Sequence, residues 1–96
     1  MYRVLNSQRV AARKLGVTIR PSTQKNKKLD VYKNGFKVAS IGDIRYNDYW
    51  IYKRLERQGK YPKGYADERR EMYKIRHREE CNAKGTPGYY ACKILW

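Results

Sequence analysis

The sequence predicts an α+β domain: a small β-hairpin packed by two helices, with a basic N-terminal arm and a short C-terminal helix. Three observations carry that expectation. Asn34-Gly35 stands between two β-rich runs, a strong hairpin signal because both central residues of a type I′ turn need positive φ. An apolar-periodic stretch from Ile44 to Gln58 follows a capping aspartate, and Thr86-Pro87 opens the C-terminal segment as an N-cap followed by a first-turn proline. The 96 residues suffice for one domain, which buries only about two-thirds of its unfolded surface.

In chain order, residues 1–28 read as a basic arm and linker and residues 29–96 as the folded domain. The arm holds eight basic residues (Arg3, Arg9, Arg13, Lys14, Arg20, Lys25, Lys27 and Lys28) and no acid. The rest of the chain sets fifteen basic residues against nine acidic ones, so over half of the net charge of +14 falls in the arm. Such an arm seeks an anionic partner: nucleic acid, an acidic protein face or an anionic lipid surface. Ser7 to Gly16 reads as a two-turn helix capped by Ser7 or Asn6 and stopped by Gly16. A helix this short is marginal alone and must dock on a partner or on its own domain. Val17–Arg20 is extended by composition, and Pro21–Lys28 reads as a polar linker.

The hairpin strands are Leu29–Lys33 and Phe36–Ile41. Their expected register pairs Lys33 with Phe36 and Val31 with Val38, putting Leu29, Val31, Phe36 and Val38 on one apolar face. That face needs a helix over it. Gly42 ends the strand, Asp43 is the expected N-cap, and the helix Ile44–Gln58 carries a core stripe of Ile44, Ile51 and Leu55. Tyr46, Tyr49, Trp50 and Tyr52 make that helix aromatic nearly all round, which fits either a second partner or half-exposed tyrosines with hydrated hydroxyls.

A further helix is expected from about Tyr65 to Glu80, with Asp67 and Glu68 in its first turn. Spacings of three and four gather Arg69, Arg70, Arg76 and His77 around Tyr73. Arginine forks in that pattern suit a phosphate or a partner carboxylate; the alternative is that the arginine stems pack over Tyr73 while their heads pair with Glu71, Glu79 or Glu80. The final helix runs from Pro87 to Trp96. The alternation of Tyr90, Cys92, Ile94 and Trp96 also permits a strand, but the cap favours helix.

Cys81 and Cys92 with the single His77 cannot assemble a zinc site. Each cysteine is read as a free, reduced, intracellular thiol; the alternative is one bridge, closed by a turn at Gly85-Thr86-Pro87-Gly88. Phosphate loops, His-Glu-x-x-His and nucleophile elbows are missing from the sequence, so a non-enzyme without cofactor or small-molecule substrate is expected. The start Met1-Tyr2-Arg3-Val4-Leu5 lacks a secretory apolar run, and no stretch reaches the roughly 20 apolar residues of a membrane span. A protein made in the cell interior and not secreted is expected. The residues expected to meet a partner are Arg3, Arg9, Arg13, Lys14, Arg20, Tyr49, Trp50, Arg69, Arg70, Tyr73, Arg76, His77 and Trp96.

Several runs carry a family likeness: Leu15-Gly16, Pro21-Ser22-Thr23, Lys27-Lys28-Leu29-Asp30-Val31-Tyr32, Asn34-Gly35, Val38-Ala39-Ser40-Ile41-Gly42-Asp43 and Tyr46-Asn47-Asp48-Tyr49. Ala66-x-x-Arg69-Arg70-x-x-Tyr73-x-x-Arg76-His77 and Pro87-Gly88-Tyr89-Tyr90-Ala91-x-x-Ile94-Leu95-Trp96 continue it. Together these resemble small basic proteins of large nucleocytoplasmic DNA viruses, of the chlorella-virus and mimivirus kind. The resemblance implies a virion component and carries over no catalytic residue. The function expected first is therefore a structural one, a minor capsid or cement protein bridging larger capsid proteins in the particle. The alternative is a basic nucleic-acid-binding protein that packages or organises the viral genome. Contact of residues 1–28 with an anionic internal membrane is a third reading.

Overall fold

The computed structural model describes residues 2–96. Its elements in chain order are α1 (Asn6–Lys14), β1 (Thr18–Pro21), β2 (Lys27–Lys33), β3 (Phe36–Asp43), α2 (Tyr49–Arg57), α3 (Tyr65–Arg76), α4 (Arg78–Asn82) and α5 (Pro87–Ile94). The fold is α+β, with one antiparallel sheet in the order β1-β2-β3. The hairpin forms where expected: Asn34 and Gly35 take φ of 53° and 83°, and Lys33 pairs with Phe36.

Beyond the turn the register departs from expectation. Tyr32 pairs with Lys37, but Val31 pairs with Ala39, so Val38 is an extra, bulged residue. One inserted residue reverses which side chains face the core from that point on. Ala39 and Ile41 therefore join Leu29 and Val31 inside, while Phe36 is 75% exposed and Val38 40%. On β2, Asp30 is buried and accepts hydrogen bonds from the Ser22 and Ser40 hydroxyls, both at 2.6 Å. Burial pushes its carboxyl up, but those hydroxyls and the Thr23 N–H outweigh it and hold Asp30 below its ordinary range.

The expected helix from Ile44 starts five residues late. Asp43 is spent on Arg45, at 2.7 Å, and Asp48 caps α2 instead by accepting from the Ile51 N–H at 3.0 Å. Ile44 is 53% exposed rather than in the core, and Tyr49 is the residue α2 buries. The sheet's apolar face is covered not by α2 but by α1 and α5, whose Ala12, Tyr90 and Ile94 pack with Val17, Ile19, Leu29, Val31, Ala39 and Ile41. Helix α2 packs on α3. The helix expected to reach Glu80 breaks at His77 into α3 and α4. Helix α5 is capped as expected, with the Thr86 hydroxyl accepting from the Tyr89 N–H at 3.2 Å.

The N-terminal residues are not a separate arm. The boundary expected after Lys28 falls inside β2, and β1 pairs along it from Thr18↔Tyr32 to Pro21↔Leu29. Helix α1 docks on α5 and β1 with Gln8 and Ala12 buried, and the Gln8 side chain accepts from the Leu5 N–H at 2.8 Å, in place of a cap from Asn6 or Ser7. The radius of gyration of 13.1 Å is near the roughly 12–13 Å of a compact chain of this length, with no projecting arm among the described residues.

The cysteines are joined rather than free: Cys81 and Cys92 form a disulfide with Cα atoms 5.4 Å apart. The break at His77 is what allows it, because α4 leaves the α3 axis and lays Cys81 against α5. Closing so short a loop contributes about 2–3 kcal/mol by restricting the unfolded chain.

Removing residues 1–28 should unfold the protein, since it strips Ala12, Val17, Ile19 and one strand from the core. Circular dichroism of the 29–96 fragment checks this. A cooperative thermal transition within a few degrees of the full chain's would show that the core closes without them.

Candidate functional site

Helix α3 opens at Gly64, whose φ is 92°, and is tied to the end of α2 by Glu56, whose Oε1 accepts from the Gly64 and Ala66 N–H groups at 3.1 and 3.0 Å. This fixes which way the helix presents its basic residues. Of the five expected to cluster, Arg69, Tyr73, Arg76 and His77 line one hollow of about 350 Å³. Arg70 turns the other way, its guanidinium 3.7 Å from the centre of the Tyr49 ring and 3.4 Å from the Asp67 carboxylate.

An aromatic column builds one wall. Tyr73 stacks on Trp96 with ring centres 4.4 Å apart and planes 7° from parallel, and His77 stacks on Tyr73 at 4.2 Å. Tyr52 leans on Trp96 at 6.1 Å. Burial pushes the Tyr73 hydroxyl up from its ordinary value, with Glu80 adding to it. Another wall comes from β2, the end of β3 and the β3–α2 loop: Lys27, Lys28, Gly42 and Tyr46, the last 69% exposed at the rim.

The hollow's two acids are both occupied. Asp43 holds the Arg45 guanidinium, whose hydrogen bonds lower its carboxyl to about 2. Asp48 is 1% exposed and accepts from the Lys28 ammonium at 2.9 Å, the Tyr2 hydroxyl at 2.6 Å and the Ile51 N–H at 3.0 Å. His77 Nδ1 lies 2.8 Å from Glu80. Lys27, Arg69 and Arg76 meet no carboxylate among the described residues, and the Arg69 Nε is buried without a hydrogen-bond acceptor.

The other expected residues are dispersed. Tyr49 is buried and donates to Asp67 at 2.9 Å, and the Trp50 Nε1–H donates to the Ile94 carbonyl at 3.0 Å, so both serve packing. Arg9 donates to the Ile19 carbonyl and shares a shallow groove with Arg13; Arg20 lies over Tyr32; Lys14 is exposed. Arg3 lines a second hollow of about 400 Å³ with Arg54, Arg57, Tyr2, Leu5, Trp50 and Ile51, where no acid is present. The Tyr2–Asp48 hydrogen bond stands between the two hollows, since Tyr2 lines the second and Asp48 the first. Sequence reasoning missed Lys27, Tyr46, Arg54 and Arg57. Arg54 and Arg57 were legible as an i, i+3 pair, but Lys27 and Tyr46 join the site only through tertiary folding.

Residues 17–64, half of the chain, match a family of unknown function (DUF5754). No curated protein and no solved structure matches the chain. The matched segment contains the Lys27, Gly42, Tyr46 and Asp48 wall, and the Arg69–His77 wall lies outside it.

Replacing Asp48 with alanine should destabilise the fold by about 3–5 kcal/mol, because it strands the Lys28 ammonium, whose side chain is 3% exposed, without its counter-charge. Urea unfolding followed by tryptophan fluorescence measures it. A loss under about 1 kcal/mol would mean that water already reaches Lys28.

Proposed function

We propose, for a chain that belongs to the DUF5754 family of unknown function, that it is a non-enzymatic nucleic-acid-binding protein. The carrying observation is the state of its positive charge. Of 23 Lys and Arg, only Lys28, Arg45, Lys53 and Arg70 pair with a carboxylate among the described residues. Six of the remaining nineteen, Lys27, Arg69, Arg76, Arg3, Arg54 and Arg57, line two hollows that also present aromatic rings, the combination that binds phosphate backbones and bases without reading a duplex sequence. The resemblance to small basic viral proteins is compatible with a genome-organising role.

Fluorescence anisotropy with labelled DNA across a salt series tests the reading. Neutralising three or more phosphates gives a slope of log affinity on log salt of about −2.7 or steeper, at about −0.9 per phosphate. Absence of binding near 0.15 M salt, about physiological ionic strength, would overturn it.

A second reading is a structural component of a large DNA virus particle that contacts other capsid proteins. Phe36 at 75% exposure on the hairpin tip and Ile75 at 59% on α3 favour it, as does a disulfide of the sort that persists on virion surfaces. Purified particles should then contain the protein in fixed ratio to the major capsid protein. Its loss from otherwise whole particles after mild detergent would count against that role. No helix among the described residues is long and apolar enough to cross a membrane.

A further inference from the structure

The hollow between α3 and the β3–α2 loop is built around an unmet demand. Among the described residues the Arg69 Nε–H is buried with no acceptor and the guanidinium carbon lies 5.7 Å from the centre of the Tyr52 ring, so the terminal nitrogens are the part of that fork left for a ligand. Arg76 and Lys27 line the same space with no carboxylate partner, while Asp43 and Asp48 are consumed by Arg45 and by Lys28 with Tyr2. The free valence of the hollow is therefore cationic. Its volume of about 350 Å³ falls within the roughly 300–1,000 Å³ of small-ligand sites. At its rim Tyr46, 69% exposed, offers an unpaired ring face.

Resting on the nucleic-acid reading above, we infer that this hollow receives one nucleotide of a single-stranded segment. Its phosphate takes the Arg69 and Arg76 guanidinium groups with Lys27, and its base stacks on Tyr46. Guanidinium forks match phosphate oxygens in pairs. A base inside a duplex has both faces covered by its neighbours, whereas a single strand can present one. The second hollow, with Arg3, Arg54 and Arg57 but every aromatic half-buried, supplies charge for the flanking phosphates.

The test compares a twelve-nucleotide oligothymidylate, the same length of abasic strand and a duplex, all fluorescently labelled, with the full chain and three variants. Arg69→Gln should weaken single-strand binding about tenfold and duplex binding about twofold, no more than the exposed control Lys60→Gln does. Tyr46→Ala should lose about tenfold on oligothymidylate and nothing on the abasic strand. Because Tyr46 is exposed, this second variant carries the test should Arg69→Gln fail to fold. If the unaltered protein binds neither strand nor duplex, the nucleic-acid reading itself falls. If it binds both but Tyr46→Ala and Arg69→Gln behave like Lys60→Gln, the general reading stands and the nucleotide hollow is overturned. Binding of the unaltered protein to phosphatidylglycerol vesicles that Arg69→Gln abolishes, with oligonucleotide binding unaffected, would reassign the hollow to a lipid phosphate and also overturn it.

Discussion

Asp48 accepts hydrogen bonds from the Tyr2 hydroxyl, the Lys28 ammonium and the Ile51 backbone N–H, and these donors come from three separate stretches of the chain. Burying an ion pair costs desolvation that only good geometry offsets, and the geometry here depends on a glycine. A Cβ at Gly42 would lie 2.9 Å from the Lys28 Cδ and 2.7 Å from the Leu95 Cδ1, so only glycine lets the lysine stem lie across β3 toward Asp48. The same residue has φ of 76°, a second reason for glycine. Gln8 extends the network by donating to the Tyr2 hydroxyl oxygen at 2.8 Å. Burial, with Asp48 beside it, drives that hydroxyl's pKa well above its ordinary value and keeps Tyr2 a donor. One carboxylate thus fixes where α2 begins, how the N-terminal strap closes and what divides the two hollows.

That network also explains which parts of the fold were legible in the sequence. The Asn34-Gly35 turn and the Thr86-Pro87 cap are decided by residues adjacent in sequence, and both form as expected. The start of α2 is not decided locally. Asp43 and Asp48 are equally good caps by residue type, and the choice falls to Asp48 because Lys28 and Tyr2, far off in sequence, converge on it. The bulge at Val38 has no composition signal, since Val38 and Ala39 are each acceptable on the buried face. The basic N-terminal stretch misled because charge counts describe its outward residues. Gln8, Ala12, Val17 and Ile19, which hold it down, are a minority scattered among them. Free thiols were expected from the cysteine and histidine count, with one bridge as the alternative, and the break at His77 that brings Cys81 to α5 is a backbone event no motif announces.

The candidate site divides in the same way. Arg69, Tyr73, Arg76 and His77 were readable because a single helix spaces them, whereas Lys27 and Tyr46 arrive from a strand and a loop. Arg70 shows how a helical wheel misassigns a neighbour: one residue from Arg69, it lies on the α2 side and packs over Tyr49. The abundant aromatic residues of α2, read from sequence as surplus surface, are mostly consumed within the chain. Tyr49 and Trp50 pack edge to face at 5.0 Å, and Tyr52 meets Tyr61 and Tyr65 at 5.9 and 5.6 Å. Tyr46, which falls outside the helix, is the ring left free.

The place of α5 in the core has a consequence for how the chain matures. Ile94 and Leu95 are each 1% exposed, packed with Ala12 and Ile19 from the opposite end of the sequence and with Leu29 and Ile41 between them. During vectorial synthesis the hairpin forms early, because its contacts are local. With α1 alone against it, its apolar face stays only partly covered until α5 emerges, and a nascent sheet in that state is open to misassociation. Closure of this core therefore waits on α5, the last of its elements to be made, which docks onto α1 and a sheet already formed.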